Sequence, residues 1–440
     1  MSKLTPLEPW ITGKIGVRAG NALTRAALEK FQLARLGETV DYVKRHSPFY
    51  QQRLAGYAPP ASWEELSAFP FTTPSDLQEN DHQFLCVSLA EIERIVTLQS
   101  SGSTAPPKRV HFTAADLELT IDFFHHGMAT LVQPGQKVLI LMPGEQPGSV
   151  GDLLKKGLAR LGVTSIIHGL VRDAEETLRT IETQEIDCLV GLPVQLLSLA
   201  RHPSAALIGP NRIKSILVSA DFASPALVNA LNSAWGAPVI DHYGMTEMGL
   251  GGGVECRHCC GYHLREADLY VEIIDPLSGH PLPDGELGEV VFTTLTRRGM
   301  PLVRYRTGDQ ARFLKEPCPC GTVLRRMERV QGRMAGSVLL AKGVPLNITE
   351  LDQVLFPLPF LLDYQAVISS RNNRDALAIG IETYGADADQ QNRTIHHALM
   401  ALPSISAAVS SGDLALDPVS AGKCVPSATI KRSIIDLRKE

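Results

Sequence analysis

Between Lys137 and Asp241 the chain repeats one pattern: a short apolar run, a helix-length segment, then another apolar run. Lys137–Met142 (KVLILM), Val163–Ile167, Cys188–Gly191, Ile216–Ser219 and Pro238–Asp241 read as buried strands, and Gly148–Leu161 and Ala174–Thr183 as helices. Parallel neighbours in a sheet need a crossover, usually a helix, so this spacing predicts βαβ units and a parallel sheet.

The flanks read differently. Ala22–His46 carries apolar residues at helical spacing, and Thr72–Asp76 (TTPSD) has the look of an N-cap with proline just inside a short helix. From Leu269 the runs LYVEIID, GEVVFTTL and LVRYRTGD are strands joined by turns such as Pro283-Asp284-Gly285, which predicts a smaller, mostly antiparallel β-unit. Gln331–Ser337 (QGRMAGS) reads as a linker. Beyond it lies a tail of about 100 residues with α+β patterning, within the range of a small domain.

At 440 residues and 44% hydrophobic content, the chain can bury a sizeable core in two or three domains. Net charge is -5 and the cations are scattered, so no nucleic-acid footprint is expected. No apolar run reaches the ~18 residues of a membrane span. The N-terminal stretch lacks a signal peptide's apolar core, so a cytoplasmic protein is expected. Of eight cysteines, five crowd into two short clusters, which in a reducing compartment favours metal over disulfides.

Ser100–Lys108 (SSGSTAPPK) suits neither helix nor strand. Small residues expose backbone N–H groups and hydroxyls that can wrap an oxyanion, and a terminal lysine adds charge. The spacing is not that of the common P-loop, and a plain surface linker would read the same way.

Four further segments join it in order. HYGMTE (His242–Glu247), YRTGD (Tyr305–Asp309), QGR (Gln331–Arg333) and IKRSIIDLR (Ile430–Arg438) together with SSGSTAPPK resemble the ordered motifs of the adenylate-forming enzymes. GELGEVVFTTLTRRGMPLVRYRTGD, PCPCG and TVDYVKRHSPFYQQRL look like the phenylacetate–coenzyme A ligase-like subgroup, so the resemblance covers nearly the whole chain. Ala105 stands where glycine is usual. Where the hinge usually reads G-R-x-D-D, the chain has Gly332, Arg333, Met334, Ala335 and Gly336 with no acid, and SADFASP (Ser219–Pro225) replaces a glycine-glycine-glutamate-like segment.

The resemblance implies ATP-dependent activation of a small-molecule carboxylic acid, aryl or related, to an acyl-adenylate, then thioester formation with coenzyme A. It implies that Ser100, Ser101, Gly102, Ser103 and Thr104 cradle phosphates, with Lys108 fixing the loop or the phosphates. His242, Tyr243 and Gly244 would flank the nucleotide, Tyr243 at the adenine. Thr246 would bond phosphate, and Glu247 would hold Mg²⁺, a hard cation that prefers carboxylate oxygen. Asp309 would accept the ribose hydroxyls, Arg333 would reach ribose or phosphate, and Lys431 would cap the forming adenylate when the tail closes. Lys423 and Arg432 are its competitors for that role.

A C-x-C knuckle with a distant Cys/His cluster can complete a tetrahedral, structural Zn²⁺ site. ECRHCCGYH and PCPCG supply the candidates. The resemblance favours Cys256, His263, Cys318 and Cys320, with Cys259 or Cys260 as the alternative. His125 and His126 are read as helix-face residues before pocket wall, and Gly251–Gly253 as a close approach to a substrate pocket.

The expected architecture is an adenylate-forming α/β fold: a doubly wound domain over 1–332, with a β-subdomain and zinc site at about 250–330, and a mobile α+β lid over 333–440. A homodimer is compatible with the resemblance. Two rival functions remain: an adenylating enzyme that loads a carrier protein or transfers AMP without coenzyme A, and a non-catalytic nucleotide-binding protein.

Overall fold

A computed structural model of the chain describes residues 4–18, 20–98, 107–209, 211–333, 337–371, 374–384, 388–422 and 432–439. The chain divides into two compact units, Met1–Gly169 with Ile240–Val330, and Leu170–Val239 with Gln331–Glu440.

In the first unit, Lys137–Leu141 and Thr164–Ile167 pair in parallel, with the helix Val150–Arg160 as their crossover. Val138 to Leu141 are fully buried, which is why this strand reads as a continuous apolar run and not as an alternation. The crossover helix begins two residues later than the sequence suggests. Gly148 instead sits in the preceding turn, where its N–H is taken by Asp152 at 2.7 Å.

Upstream, Ile92–Leu98 and Lys108–Thr113 pair antiparallel across SSGSTAPPK. Thr113 then ends the strand and caps the helix Ala114–Met128 in a capping box with Asp116. The TTPSD cap forms on Thr73, with Pro74 inside the helix and Asp76 completing the box. The long helix runs Arg25–His46, because the Thr24 side chain caps it at Ala27 N–H.

The antiparallel β-unit forms as its turns predict. Leu269–Ile274 pairs with Gly288–Thr294, which pairs in turn with Tyr305–Ala311. Arg304 enters the last strand with its guanidinium fully buried against Glu272, at 3.0 Å, and bonded to the Ser67 and Phe69 carbonyls. Five donors in a fixed fork let one arginine satisfy several acceptors there.

The second unit holds its own parallel pair, Cys188–Gly191 with Ser215–Ser219, beside the helices Ala174–Thr183, Pro193–Arg201 and Pro225–Trp235. Its C-terminal part is a long hairpin, Leu361–Arg371 with Arg374–Thr383, flanked by short parallel strands and by the helices Ile348–Leu355, Ala388–Met400 and Pro403–Ser410. Gly332–Arg333 and Ser337–Leu339, either side of the QGRMAGS segment's centre, are short strands.

Candidate active site

The turn HYGMTE follows the strand Val239–Tyr243 and returns as Gly253–Glu255, with Tyr243 paired to Gly253. A Cβ on Gly244 would lie 2.6 Å from the Leu250 carbonyl oxygen and 2.8 Å from Gly251 Cα, so only glycine lets the turn close this tightly. Closure places Glu247 in the interior, 3% exposed.

There Glu247 meets two residues from distant segments. The Lys108 ammonium bonds to its Oε1, and Tyr305 Oη donates to the same oxygen at 3.1 Å; Lys108 Nζ also donates to Tyr305 at 3.3 Å. Burial alone would raise the Glu247 pKa, but the Lys108 charge and the hydrogen bonds from Lys108 and Tyr305 outweigh it and lower the pKa. Arg297 holds the backbone beneath, donating to the Glu247 carbonyl at 2.7 Å and to that of His111 at 3.0 Å.

Tyr243 Oη donates to Asp309 Oδ2 at 3.1 Å, so the adenine and ribose candidates touch each other. Thr246 opens the short helical turn that carries Glu247. His242 stands 5.9–6.0 Å from the rings of Phe123 and Phe124, and burial with nearby Arg265 lowers its pKa to about 4. A neutral imidazole at neutral pH follows. Arg333 lies exposed in the second unit.

Ser100, Ser101, Gly102, Ser103, Thr104 and Lys431 lie outside the described residues, as do Lys423 and the Met334–Gly336 hinge. Arg432, next to Lys431, is committed within the second unit. Its guanidinium lies 2.9 Å from Asp352 and 3.6 Å from Asp363, over the rings of Phe356 and Tyr364, and its N–H reaches Asp221 of SADFASP at 3.3 Å.

One reading holds and one is narrowed. On helix Ala114–Met128 the turn facing HYGMTE is Phe123-Phe124. His126 stacks on Trp10 with 5.4 Å between centroids, and His125 Nδ1 lies 3.4 Å from the Gly157 carbonyl, so both are helix-packing residues. Gly251 makes a close approach to protein, since a Cβ there would meet the Phe123 ring at 2.5 Å. Tyr305 and Arg297 are site residues that sequence reasoning did not single out; Tyr305 was legible as the first letter of YRTGD.

Cys256, His263, Cys318 and Cys320 also converge. All four are buried, with ligand atoms within 4.8 Å of one another. Cys256 Sγ lies 3.6 Å from Cys318 Sγ, and Cys320 Sγ lies 3.6 Å from His263 Nε2. A tetrahedron with Zn–S bonds of about 2.3 Å has S···S edges of about 3.8 Å, so the spacing fits one ion. Burial pushes the Cys256 thiol up to about 11, a cost that a bound cation would reverse. Cys259 and Cys260 fall outside the set: Cys259 Sγ lies 3.8 Å from the Arg257 carbonyl, and Cys260, though packed against the cluster, receives Arg326 at 2.9 Å.

These observations define a class. The model of the AMP-binding enzyme family matches residues 61–295, and the chain belongs to that family of adenylate-forming enzymes. Within it the chain falls in the phenylacetate–coenzyme A ligase-like subgroup. It is 31% identical over 370 residues to the phenylacetate-coenzyme A ligase of Pseudomonas putida, covering 81% of this chain and 82% of that one. It is 30% identical over 368 residues to the enzyme of that name from Escherichia coli (strain K12), covering 81% and 82%. Among solved structures, a 2-hydroxyisobutyryl-CoA ligase in the postadenylation state shares the α/β fold, with TM-score 0.80, 21% identity, and coverage of 95% of this chain and 91% of that one.

Proposed function

We infer that the chain is an AMP-forming acid–coenzyme A ligase: it activates a carboxylic acid with ATP and passes the acyl group to coenzyme A. A carboxylate oxygen attacks the α-phosphorus, the bond to the β-phosphate oxygen breaks, and pyrophosphate leaves. The coenzyme A thiol, losing its proton, then attacks the acyl carbon and AMP departs. The first step brings two anions together, so neutralising charge is its main demand.

The observation that carries this reading is the Lys108–Glu247–Tyr305 cluster beside the Tyr243–Asp309 pair. It supplies a cation at the end of the phosphate-loop segment and an ionised carboxylate for Mg²⁺. It also supplies a ribose acceptor whose orientation a tyrosine sets. Ser100, Ser101, Gly102, Ser103 and Thr104 are assigned to the phosphates, Thr246 to phosphate, Arg333 to ribose or phosphate, and Lys431 to the adenylate. A pivot at 332–336, separating 1–332 from 333–440, would bring Lys431 in. An aryl or related acid is the substrate class, on the strength of the relatives' names.

The cysteine cluster is assigned to a structural Zn²⁺ held by Cys256, His263, Cys318 and Cys320, a closed set with no position for substrate. Among the described residues no cysteine is in a disulfide and no helix is long and apolar enough to cross a membrane; the free thiols fit a cytoplasmic location. A homodimer is retained as the expected assembly, to be read by sizing. For the metal, we expect one tightly held zinc per chain and none in C318S, read by elemental analysis. A C318S chain that keeps its zinc would remove Cys318 from the set.

The deciding assay is pyrophosphate release from ATP and Mg²⁺ over aryl, heteroaryl and short acyl acids, with and without coenzyme A. Acid-dependent release with thioester product is expected. AMP formation that ignores coenzyme A yet speeds with a carrier protein would replace the ligase reading.

A further inference from the structure

A second cluster of metal-binding side chains stands apart in sequence from the cysteines. Asp81, His82 and His111 offer one carboxylate oxygen and two imidazole nitrogens, all within 4.8 Å of one another. Asp81 and His82 open the short helical turn Asp81–Phe84, and His111 comes from the strand Lys108–Thr113. Both elements are fixed. Phe84 is fully buried and stacks on Phe49 at 4.0 Å, while Ser47 Oγ donates to the Gln83 carbonyl at 2.8 Å.

His111 is the telling residue. Its side chain is fully buried, yet neither ring nitrogen has a hydrogen-bond partner. Its Nε2 lies 3.8 Å from Asp81 Oδ2, too long for a hydrogen bond, and that oxygen too is buried without a hydrogen-bond partner. Buried polar atoms are nearly always satisfied, so orphaned atoms facing each other mark a place for a missing partner. On the other side His82 is 65% exposed, with Nε2 3.6 Å from Asp81 Oδ1, so the cluster opens to solvent.

We propose that Asp81, His82 and His111 form a second metal site, taking a divalent transition ion such as Zn²⁺ or Co²⁺ with its remaining positions open to water. Two imidazoles and one carboxylate are borderline ligands that suit these ions better than Mg²⁺ or Ca²⁺. The opposing charge is Arg109, whose guanidinium lies 3.5 Å from Asp81 Oδ2. That side chain is 45% exposed and can turn to solvent when an ion takes the carboxylate. Arg297 donates to the His111 backbone carbonyl, and its charge is also felt at the imidazole.

His111 is three residues from Lys108, an odd spacing that puts the two side chains on opposite faces of one strand. The ion therefore sits behind the strand that delivers Lys108 to Glu247, cross-linking it to the Asp81 turn.

The test uses tag-free full-length protein, its zinc exchanged for Co²⁺ as probe, with absorption spectra and equilibrium dialysis, beside H82A and H111Q. We expect two equivalents in the wild type. One should show thiolate-to-cobalt charge transfer and the other only weak d–d bands. The second equivalent should weaken at least about tenfold in both variants while the thiolate bands stay. H82A changes an exposed residue and so separates ligand loss from misfolding. A wild type whose cobalt all sits in the thiolate-banded equivalent, or a second equivalent held equally well by H82A, overturns the proposal. Neither readout depends on the ligase activity, so failure of that reading would leave this one standing.

Discussion

Asp241 and Glu247 stand at the two ends of one short stretch, both buried, and ionise in opposite senses. Glu247 receives Lys108 and Tyr305, and its pKa falls. Asp241 has an arginine nearby too, but Arg329 gives its fork to Glu255, at 2.9 and 2.6 Å, and stays 3.8 Å from Asp241. Burial therefore dominates at Asp241. Arg329 offsets it only partly, neighbouring Glu255 adds to it, and the pKa rises to about 7. A carboxylate's charge at neutral pH is thus decided by which cation the fold delivers to it, not by how deeply it is buried.

The strongest way to break this comparison is E247Q. It keeps the shape and removes the charge, so acid-dependent pyrophosphate release should fall by about 10²–10³-fold. K108M is the next. Losing a charge-assisted bond worth about 2 kcal/mol should lower release roughly thirtyfold. Burial would then control Glu247, and the acid limb of the pH–rate profile should move to higher pH. The lowered Glu247 pKa contributes stability above the ordinary carboxylate range, lost as pH falls through the folded value; K108M should abolish that dependence.

Asp241 should show the reverse sign. The folded chain holds a proton that the unfolded chain has released, so between the ordinary carboxylate range and about pH 7 stability should fall as pH rises. The slope should approach 1.4 kcal/mol per pH unit at most, about one proton's worth. Denaturant titrations of D241N across that window should show the slope removed; an unchanged slope would assign it to another group. Y243F is the smallest perturbation. It deletes one hydrogen bond to Asp309, worth about 1 kcal/mol, and should raise the KM for ATP about fivefold with kcat nearly unchanged.

Much of this was legible in the chain. The alternation from Lys137 to Asp241 demanded crossovers, and the turns after Leu269 demanded antiparallel pairing, because periodicity and turn chemistry are local properties. The site's residue types were legible through the order of the motifs, and the favoured cysteine set through the resemblance, since the two clusters alone left Cys259 and Cys260 open. The contact of Lys108 with Glu247 was not, nor the role of Arg297 beneath them, since no local pattern records which distant segments meet. The facing of Phe123-Phe124 toward HYGMTE also escaped, because adjacent residues on one helix differ only in angle. Asp81, His82 and His111 escaped for the same reason: a turn and a strand supply them, with no ligand spacing between.

What the sequence determined by itself was the fold class, the family and the inventory of chemical groups, because these rest on local periodicity and on ordered motifs. What only the tertiary structure decided was the state of those groups. Lys108 reaches Glu247, Arg329 chooses Glu255 over Asp241, and four of the clustered Cys and His residues converge while Cys259 and Cys260 stay outside the set. Charge and coordination depend on separations of a few ångströms between residues far apart in the chain, and those distances exist only once it has folded.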